Sequence, residues 1–185
     1  IAMHECGVTN TVATLGTALT QQHVKMLRSL RPKRIIYLFD GDSAGQKAAD
    51  RAIDFIDWSI TPESGMSMVE FCVAVLPDNQ DPAEFCSKHT KDEVLAVLSK
   101  AEPLIGFAIR RRLAQWNLAS AEQRELALNE TVSLLVPIAD SLMAKDYMNE
   151  IAGMLTVAGY DCDYKTVAEA LKRAIMDNLY YREAR

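Results

Sequence analysis

Short apolar runs alternate with helical patterns in the first half of the chain. Three runs rich in β-branched or aromatic residues predict strands, at 10–16, 34–39 and 67–76. The second run, RIIYLF, is almost continuously apolar, which is typical of a parallel strand that is covered on both faces. Apolar residues at near-helical spacing predict helices between the strands, over 19–30 and roughly 43–58. Because strands and helices alternate, we predict an α/β fold with a parallel sheet.

The pattern changes after about residue 85, since no further strand-like run follows. Helical spacing of apolar residues predicts helices at 90–101, 102–116, 120–138, 141–159 and 163–181. Ser120 and Gln123 form a plausible capping box at the start of one of them. We therefore predict an α/β part over 1–88 and an all-α helical bundle over 89–185.

Composition fits a globular protein and excludes several other classes. Hydrophobic residues make up 49% of the chain and charged residues 24%. No apolar stretch approaches the roughly 18–20 residues that span a bilayer, and the residue pattern at the start leads us to expect no signal peptide. We expect a cytoplasmic protein without a membrane partner. The four cysteines include no C-x-x-C pair, so a zinc site within the chain is not expected, and Cys72 is a candidate core residue.

The net charge of −5 is unevenly distributed. The segment 21–35 has no acidic residue and contains the basic residues Lys25, Arg28, Arg31, Lys33 and Arg34. Such a patch can attract phosphate even on an acidic chain. A solvated helix face explains the same residues equally simply, and both interpretations stay open.

Two aspartates flank one glycine where the predicted strand 34–39 ends. In open α/β sheets the functional site lies beyond the carboxyl ends of the strands, where Asp40 and Asp42 follow. Two carboxylates this close repel each other unless a cation lies between them or one takes up a proton. A hard divalent cation, Mg²⁺ above all, is the usual solution. Gly41 permits a tight turn and lets a metal or phosphate approach the backbone.

Simpler interpretations of the same residues stay open. Asp-Gly is a common turn dipeptide, and Asp42 or Ser43 is a suitable N-cap for the next helix. A calcium-binding EF-hand is excluded, because its fifth and twelfth positions, counted from Asp40, are Ala44 and Arg51.

A second acidic segment, LPDNQDPAEF, follows the predicted strand 67–76 and supplies Asp78, Asp81 and Glu84. Neighbouring parallel strands lie about 5 Å apart, so the loops at their carboxyl ends can converge on one cation. The alternative is a negatively charged turn.

The segment TLGTALT, at 14–20, ends the first predicted strand. Gly16 and the hydroxyls of Thr14 and Thr17 suit either phosphate contacts or the cap of the following helix.

These three segments, in this order, resemble the Toprim segment of bacterial DnaG-type DNA primases. The resemblance covers residues 1 to 88 and rests on VTNTVATLGTALTQQHVKML, IIYLFDGDSAGQKAADRAI and VLPDNQDPAEF. The later helices, PLIGFAIRRRLAQWNL in particular, are similar to those that close the RNA polymerase core of the family. The resemblance implies a Toprim-like parallel sheet, incomplete at its N-terminal edge, followed by a helical subdomain.

The resemblance also implies a function, which is the Mg²⁺-dependent synthesis of short RNA primers on single-stranded DNA from nucleoside triphosphates. By analogy, Asp40, Asp42 and Asp81 would hold Mg²⁺, with Mn²⁺ as a substitute. Nucleotide phosphates would be contacted by Gly16, Thr17, Gly41, Lys47 and Arg51. Template DNA would be held by Lys25, Arg28, Lys33 and Arg34.

Several departures from the family limit what this chain is expected to do. The family's E-G-x-x-D strand, with its catalytic glutamate, and the upstream zinc module are expected to precede Ile1. Ala83 stands where the family usually has an aspartate, and Asp78 or Glu84 would have to compensate. We expect the chain alone to be inactive, and we expect its parent's helicase-binding unit to lie downstream.

Three alternatives from other classes remain. Toprim chemistry also serves strand cleavage in topoisomerases and nucleases. The helical half could instead dock a partner without catalysis. An aspartate-nucleophile phosphatase would need a lysine and acidic residues on later strands, which the helical second half does not supply.

Overall fold

The computed structural model of the protein describes residues 1–14, 20–40 and 69–183. The described residues as far as Leu104 form one compact unit, and those from Ile105 onward form a second. The predicted domain boundary, drawn from the change in residue pattern, falls earlier, near residue 88. Among the described residues, no helix combines the length and the apolar character that crossing a membrane requires.

The first unit is built on a small mixed sheet in the order β1-β2-β3. Strand β1 (Arg34–Phe39) pairs in parallel with β2 (Glu70–Val75), from Arg34 opposite Glu70 to Phe39 opposite Val75. The two-residue strand β3 (Glu102–Pro103) lies antiparallel to β2 on its other side. All four central residues of β2 are buried, which explains its unbroken apolar sequence. The α/β prediction is confirmed, and Cys72 is a core residue with 0% of its surface exposed.

Four helices accompany this sheet in the described residues, α1 (Ala2–Glu5), α2 (Gln21–Ser29), α3 (Pro82–Lys88) and α4 (Lys91–Ser99). Helices α1 and α3 pack on each other. Met3 of α1 and Phe85 of α3 belong to one buried apolar cluster, which also contains Val8, Leu76 and Val94. Thr20 caps α2 in a reciprocal arrangement with His23, in which the Thr20 hydroxyl accepts from the His23 amide and the His23 ring accepts from the Thr20 amide.

The second unit is helical, as the sequence predicts. It contains α5 (Leu104–Ala114) from its second residue onward, α6 (Ala121–Ser133), a 3-10 turn (Val136–Ile138), α7 (Leu142–Val157) and α8 (Tyr164–Glu183). Helices α6 and α7 both pack on α8. The interior is formed by side chains with none of their surface exposed, among them Leu128, Leu135, Ile138, Ile151, Leu155 and Val167. Side-chain caps at Ser120 and Ser141 begin α6 and α7.

Three local predictions are wrong. Residues 10–14 do not form a strand, and Val12 is 73% exposed there, without a buried face that would favour extended pairing. Residues 102 and 103 pair with β2 instead of starting the helix, which begins at Leu104. Residues 82–85, interpreted as part of an acidic loop, belong to α3, because Asp81 provides a cap and Pro82 suits the first turn.

Candidate metal and nucleotide site

The candidate site lies at the carboxyl-terminal edge of the parallel strand pair. The in-register pairing of β1 and β2 brings their carboxyl ends to the same edge, and the Leu76 amide extends the ladder by donating to the Phe39 carbonyl at 3.0 Å. Asp40 follows Phe39 directly and is half-buried. The edge that the sequence predicts for Asp40 is therefore the edge where the structure places it.

The chain reverses direction after β2 through a turn of residues with unusual backbone angles. Asp78 and Asn79 both have a φ of 56°, the left-handed region in which Asp and Asn are enriched among residues other than glycine. The Gln80 amide closes the turn by donating to the Pro77 carbonyl at 3.2 Å. This turn leads directly into Asp81 and α3.

Asp81 is the N-cap of α3. Its Oδ1 accepts a hydrogen bond from the Glu84 amide at 2.7 Å, and Pro82 occupies the first turn. A carboxylate at this position satisfies an amide without an intrahelical partner and interacts favourably with the helix dipole. One oxygen of the predicted metal ligand therefore has a structural role, and the other, Oδ2, is the one suited to a cation.

The two acidic residues considered as substitutes for the aspartate missing at Ala83 have different surroundings. Glu84 lies within α3, where its carboxylate pairs with Lys88 Nζ at 2.6 Å. Asp78 is exposed in the turn. Their suggested role as metal ligands stays a prediction.

Other predicted site residues lie outside the described part of the chain. They are Gly16, Thr17, Gly41, Asp42, Lys47 and Arg51. Among the residues that the structure does describe, no three or more His, Cys, Asp and Glu side chains are grouped as potential metal ligands. Since Asp42 is not among those residues, the full predicted carboxylate set stays a prediction.

The predicted basic patch is distributed over α2 and the start of β1. Lys25 and Arg28 lie on α2, and Lys33 is exposed just before β1. Arg34 donates from Nε to Glu70 Oε2 at 2.6 Å across the first pair of the two strands. This hydrogen bond holds the pKa of Glu70 below its ordinary value. Arg34 is thus engaged in an ion pair, which its sequence position did not reveal because the partner lies 36 residues away.

Comparison with known families agrees with this geometry. Residues 1–86 match the Toprim-like family, and residues 105–158 match the DnaB-helicase binding domain of primase. The fold and the acidic edge therefore define a Toprim-like α/β segment followed by helices of the primase type. From the sequence we expect the helicase-binding unit downstream of this chain, whereas the second match lies on helices within it. The position of that unit stays a prediction.

Individual relatives define the family further. The chain is 36% identical over 159 residues to a DNA primase of Mycolicibacterium smegmatis, covering 83% of this chain and 24% of that protein. It is 36% identical to the RNA polymerase domain of Mycobacterium tuberculosis primase DnaG, solved with a double-stranded DNA oligomer with a 6-nucleotide overhang; the TM-score is 0.59, covering 83% and 47% of the two chains. A DNA primase domain of Pseudomonas aeruginosa, 24% identical, shares the fold with a TM-score of 0.72 over 92% and 50%.

The chain belongs to the bacterial DnaG-type DNA primase family. It spans about a quarter of the length of the curated relatives it matches. Members of this family are enzymes of the RNA polymerase type, and the resemblance inferred from the three sequence segments is confirmed. The alternatives of strand cleavage and of a phosphatase find no support in these relatives.

Proposed function

We propose that this chain forms part of the catalytic core of a DNA primase, which makes short RNA primers on single-stranded DNA by nucleotidyl transfer. The main support for this proposal is the in-register pairing of β1 and β2. Because of this pairing, Asp40 and the acidic segment that leads to Asp81 both follow strand ends at one edge of the sheet. Membership of the primase family supports the assignment. We also infer that primer synthesis takes place in the cytoplasm during replication, as in other members of the family.

The chemistry of the donor set fits a hard divalent cation. Asp40, Asp42 and Asp81 offer carboxylate oxygens, the ligands that Mg²⁺ and Mn²⁺ prefer, and the cap at Asp81 uses only one of its two oxygens. Bound Mg²⁺ would lower the barrier by polarising the triphosphate and activating the primer hydroxyl. In this proposal the three carboxylates orient the reacting groups.

Basic and backbone groups supply the remaining functions. Lys47 and Arg51, together with Gly16, Thr17 and Gly41, would contact nucleotide phosphates. Lys25, Arg28 and Lys33 would hold template phosphates, with a salt-dependent affinity that falls as each cation is removed. Arg34 contributes less in this proposal, because Glu70 already compensates its charge.

Two further points complete the proposal. Residues 105–158 would take part in contact with the replicative helicase, since they match the helicase-binding domain of primases. The isolated chain is not expected to make primers, because it spans 24% of the length of a primase relative. It also carries only two or three of the acidic metal ligands that the family uses, without the catalytic glutamate of the E-G-x-x-D strand.

The metal site is tested by separating the two roles of Asp81. Asparagine caps a helix nearly as well as aspartate but carries no charge. Asp81→Asn should therefore leave the stability almost unchanged and weaken Mg²⁺ binding at least about tenfold, a loss of about 1.4 kcal/mol. Asp81→Ala should weaken binding similarly and also lower the free energy of unfolding by about 1 kcal/mol. Mg²⁺ titration followed by NMR, with urea unfolding, measures both quantities.

The matched control is Asp92→Asn, the same charge change at an exposed residue in the first turn of α4. It should leave Mg²⁺ affinity unchanged. Wild-type affinity in Asp81→Asn would show that this carboxylate only caps α3. In a full-length primase of the family, the corresponding variant should lose primer synthesis on a single-stranded template.

A further inference from the structure

Three sulfur-bearing side chains from α1 and α3 lie together in the first unit. The Cys86 thiol donates to Met3 Sδ at 3.4 Å. Cys6 follows Met3 by one helical turn and so shares its face of α1. Both cysteines are half-buried and pack against the apolar cluster of Met3, Val8, Leu76, Phe85 and Val94. The Cys6 thiol at the end of α1 and the Cys86 thiol of α3 thus pack against one apolar cluster, and both are partly accessible.

We propose that Cys6 and Cys86 form a thiol modification site that reacts with a low-molecular-weight disulfide and ends as a disulfide between α1 and α3. The proposal does not depend on primase activity. It rests on the packing of the two helices, the shared apolar cluster and the accessibility of both thiols.

The reaction proceeds by two thiol–disulfide exchanges. The Cys6 sulfur gives up its proton and attacks one sulfur of the small disulfide RS–SR. This step forms a mixed disulfide and releases the first RSH. The Cys86 sulfur then attacks the Cys6 sulfur, closes the internal bond and releases the second RSH. Two protein thiols lose two hydrogens and two electrons, and the small disulfide is reduced to two thiols.

The surroundings of Cys86 decide the order of the two attacks. Burial, together with its contact with Cys6, raises the pKa of the Cys86 thiol to about 11. Such a thiol is largely protonated near neutral pH and reacts slowly with an external disulfide. It attacks efficiently only when the target sulfur is held beside it, as in the mixed disulfide on Cys6.

The other two cysteines are neither accessible nor close to a second thiol. Cys72 is 0% exposed and Cys162 is 5% exposed. They lie in different units and are separated in the chain by 90 positions, 162 minus 72. A dissolved disulfide reaches neither of them in the folded protein, so modification should be confined to Cys6 and Cys86.

A consequence follows for the start of α3. Cys86 lies on the same short helix that Asp81 begins. The crosslink would tie that helix covalently to α1 and restrict the movement of the segment that carries the candidate metal ligand.

Peptide mapping of the whole chain tests the proposal. The reduced, folded protein is incubated with glutathione disulfide, quenched by alkylation and digested. The expected product is a linked pair of peptides containing Cys6 and Cys86, with Cys72 and Cys162 recovered as alkylated thiols. In Cys86→Ser the reaction should stop at a glutathione adduct on Cys6. In Cys6→Ser, Cys86 should react with glutathione disulfide at least about tenfold more slowly than Cys6 reacts in Cys86→Ser.

Two outcomes would overturn the proposal. One is separate glutathione adducts on Cys6 and Cys86 without a linked peptide, which would show that the helices hold the sulfurs in a geometry that cannot bridge. The other is no modification under conditions that fully oxidise dithiothreitol. Circular dichroism of each serine variant checks folding, and the wild-type map decides the question even if a variant unfolds.

Discussion

At the scale of single residues, aspartates cap the starts of two helices in the described structure. Asp81 caps α3, and Asp163 caps α8 by accepting hydrogen bonds from the Thr166 amide and hydroxyl, both at 2.8 Å. These two hydrogen bonds hold the pKa of Asp163 below its ordinary value of 3.8. Asp163 thus links the stability of the second unit to pH.

Asp163→Asn should make the free energy of unfolding less sensitive to acid. Because the pKa of Asp163 is lowered in the folded chain, its stabilising contribution is present above the ordinary value of 3.8 and is lost as pH falls through the folded value. Asparagine keeps the cap without titrating. Urea unfolding from about pH 6 to about pH 3 should therefore show a smaller loss of stability in Asp163→Asn than in wild type.

Asp161→Asn is the control for this measurement, because it removes a nearby exposed charge without touching the cap. It should keep the acid sensitivity of wild type. An unchanged pH dependence in Asp163→Asn would show that the cap contributes nothing that titrates.

From the sequence, Asp81 is a candidate metal ligand, and its role as a helix cap is not anticipated. An aspartate before a proline and three residues before a glutamate is equally typical of a helix N-cap and of a ligand in an acidic loop. The observed hydrogen bond from the Glu84 amide establishes the capping role, and the ligand role stays a prediction. Asp163 was not singled out, because a single aspartate before a helical pattern carries no chemical signal beyond capping.

At the scale of elements, sequence periodicity predicted the long helices closely and the short elements poorly. Strand β1 occupies the predicted residues, and α7 and α8 begin one residue after the predicted starts. Strand β3 has two residues, too few to show any period, and forms because Cys72 and Val73 offer it backbone partners. Helix α3 has seven residues and depends on its cap. Such elements are set by tertiary contacts and caps, which periodicity does not detect.

One arginine contacts both the connection between α5 and α6 and an aromatic ring. Arg124 Nη1 donates to the Leu118 carbonyl at 2.9 Å and to the Ala119 carbonyl at 3.3 Å. Its guanidinium also lies over the ring of Tyr160, 5.1 Å from the centroid. The planar guanidinium of arginine can donate to both carbonyls and stack on the tyrosine ring at the same time, whereas the ammonium group of lysine cannot.

Arg124→Lys should therefore lower the free energy of unfolding by about 1–2 kcal/mol although the charge is kept. Tyr160→Leu should destabilise the wild type more than it destabilises Arg124→Lys, because the stacking partner is already lost in that variant. Urea unfolding of the four proteins in this double-mutant cycle measures the coupling. Additive effects would show that the stacking contributes no stability.

At the scale of the whole molecule, each compact unit has its own apolar interior. The first unit buries the strand residues of β2 and the cluster between α1 and α3, and the second buries the facing sides of α6, α7 and α8. The sequence predicted an α/β part followed by an all-α part, because the spacing of apolar residues differs between strands and helices. It did not predict where compactness changes, since Leu104 and Ile105 are neighbours in one helical pattern.

Two leucines on α7 give a direct test of where the second interior lies. Leu155 is 0% exposed and Leu142 is 74% exposed. Leu155→Ala should lower the free energy of unfolding by about 2–5 kcal/mol, because it removes buried apolar atoms and leaves a cavity. Leu142→Ala should change it by less than about 0.5 kcal/mol. Thermal unfolding of both variants makes the comparison, and equal losses would contradict the placement of α7.

The cap at Asp81 has a consequence for how tightly a cation could be enclosed. The hydrogen bond from the Glu84 amide fixes Oδ1 of Asp81 and leaves Oδ2 without a backbone partner among the described residues, so we expect Asp81 to bind a cation through Oδ2 as a monodentate ligand. The remaining coordination positions would then be filled by water or by substrate oxygens, which suits an ion that keeps much of its hydration shell. If the first turn of α3 frays, Asp81 loses its hydrogen bond from the Glu84 amide, and the occupancy of the ion should change as well. Formation of the helix, binding of the ion and hydration of the ion would then be coupled equilibria.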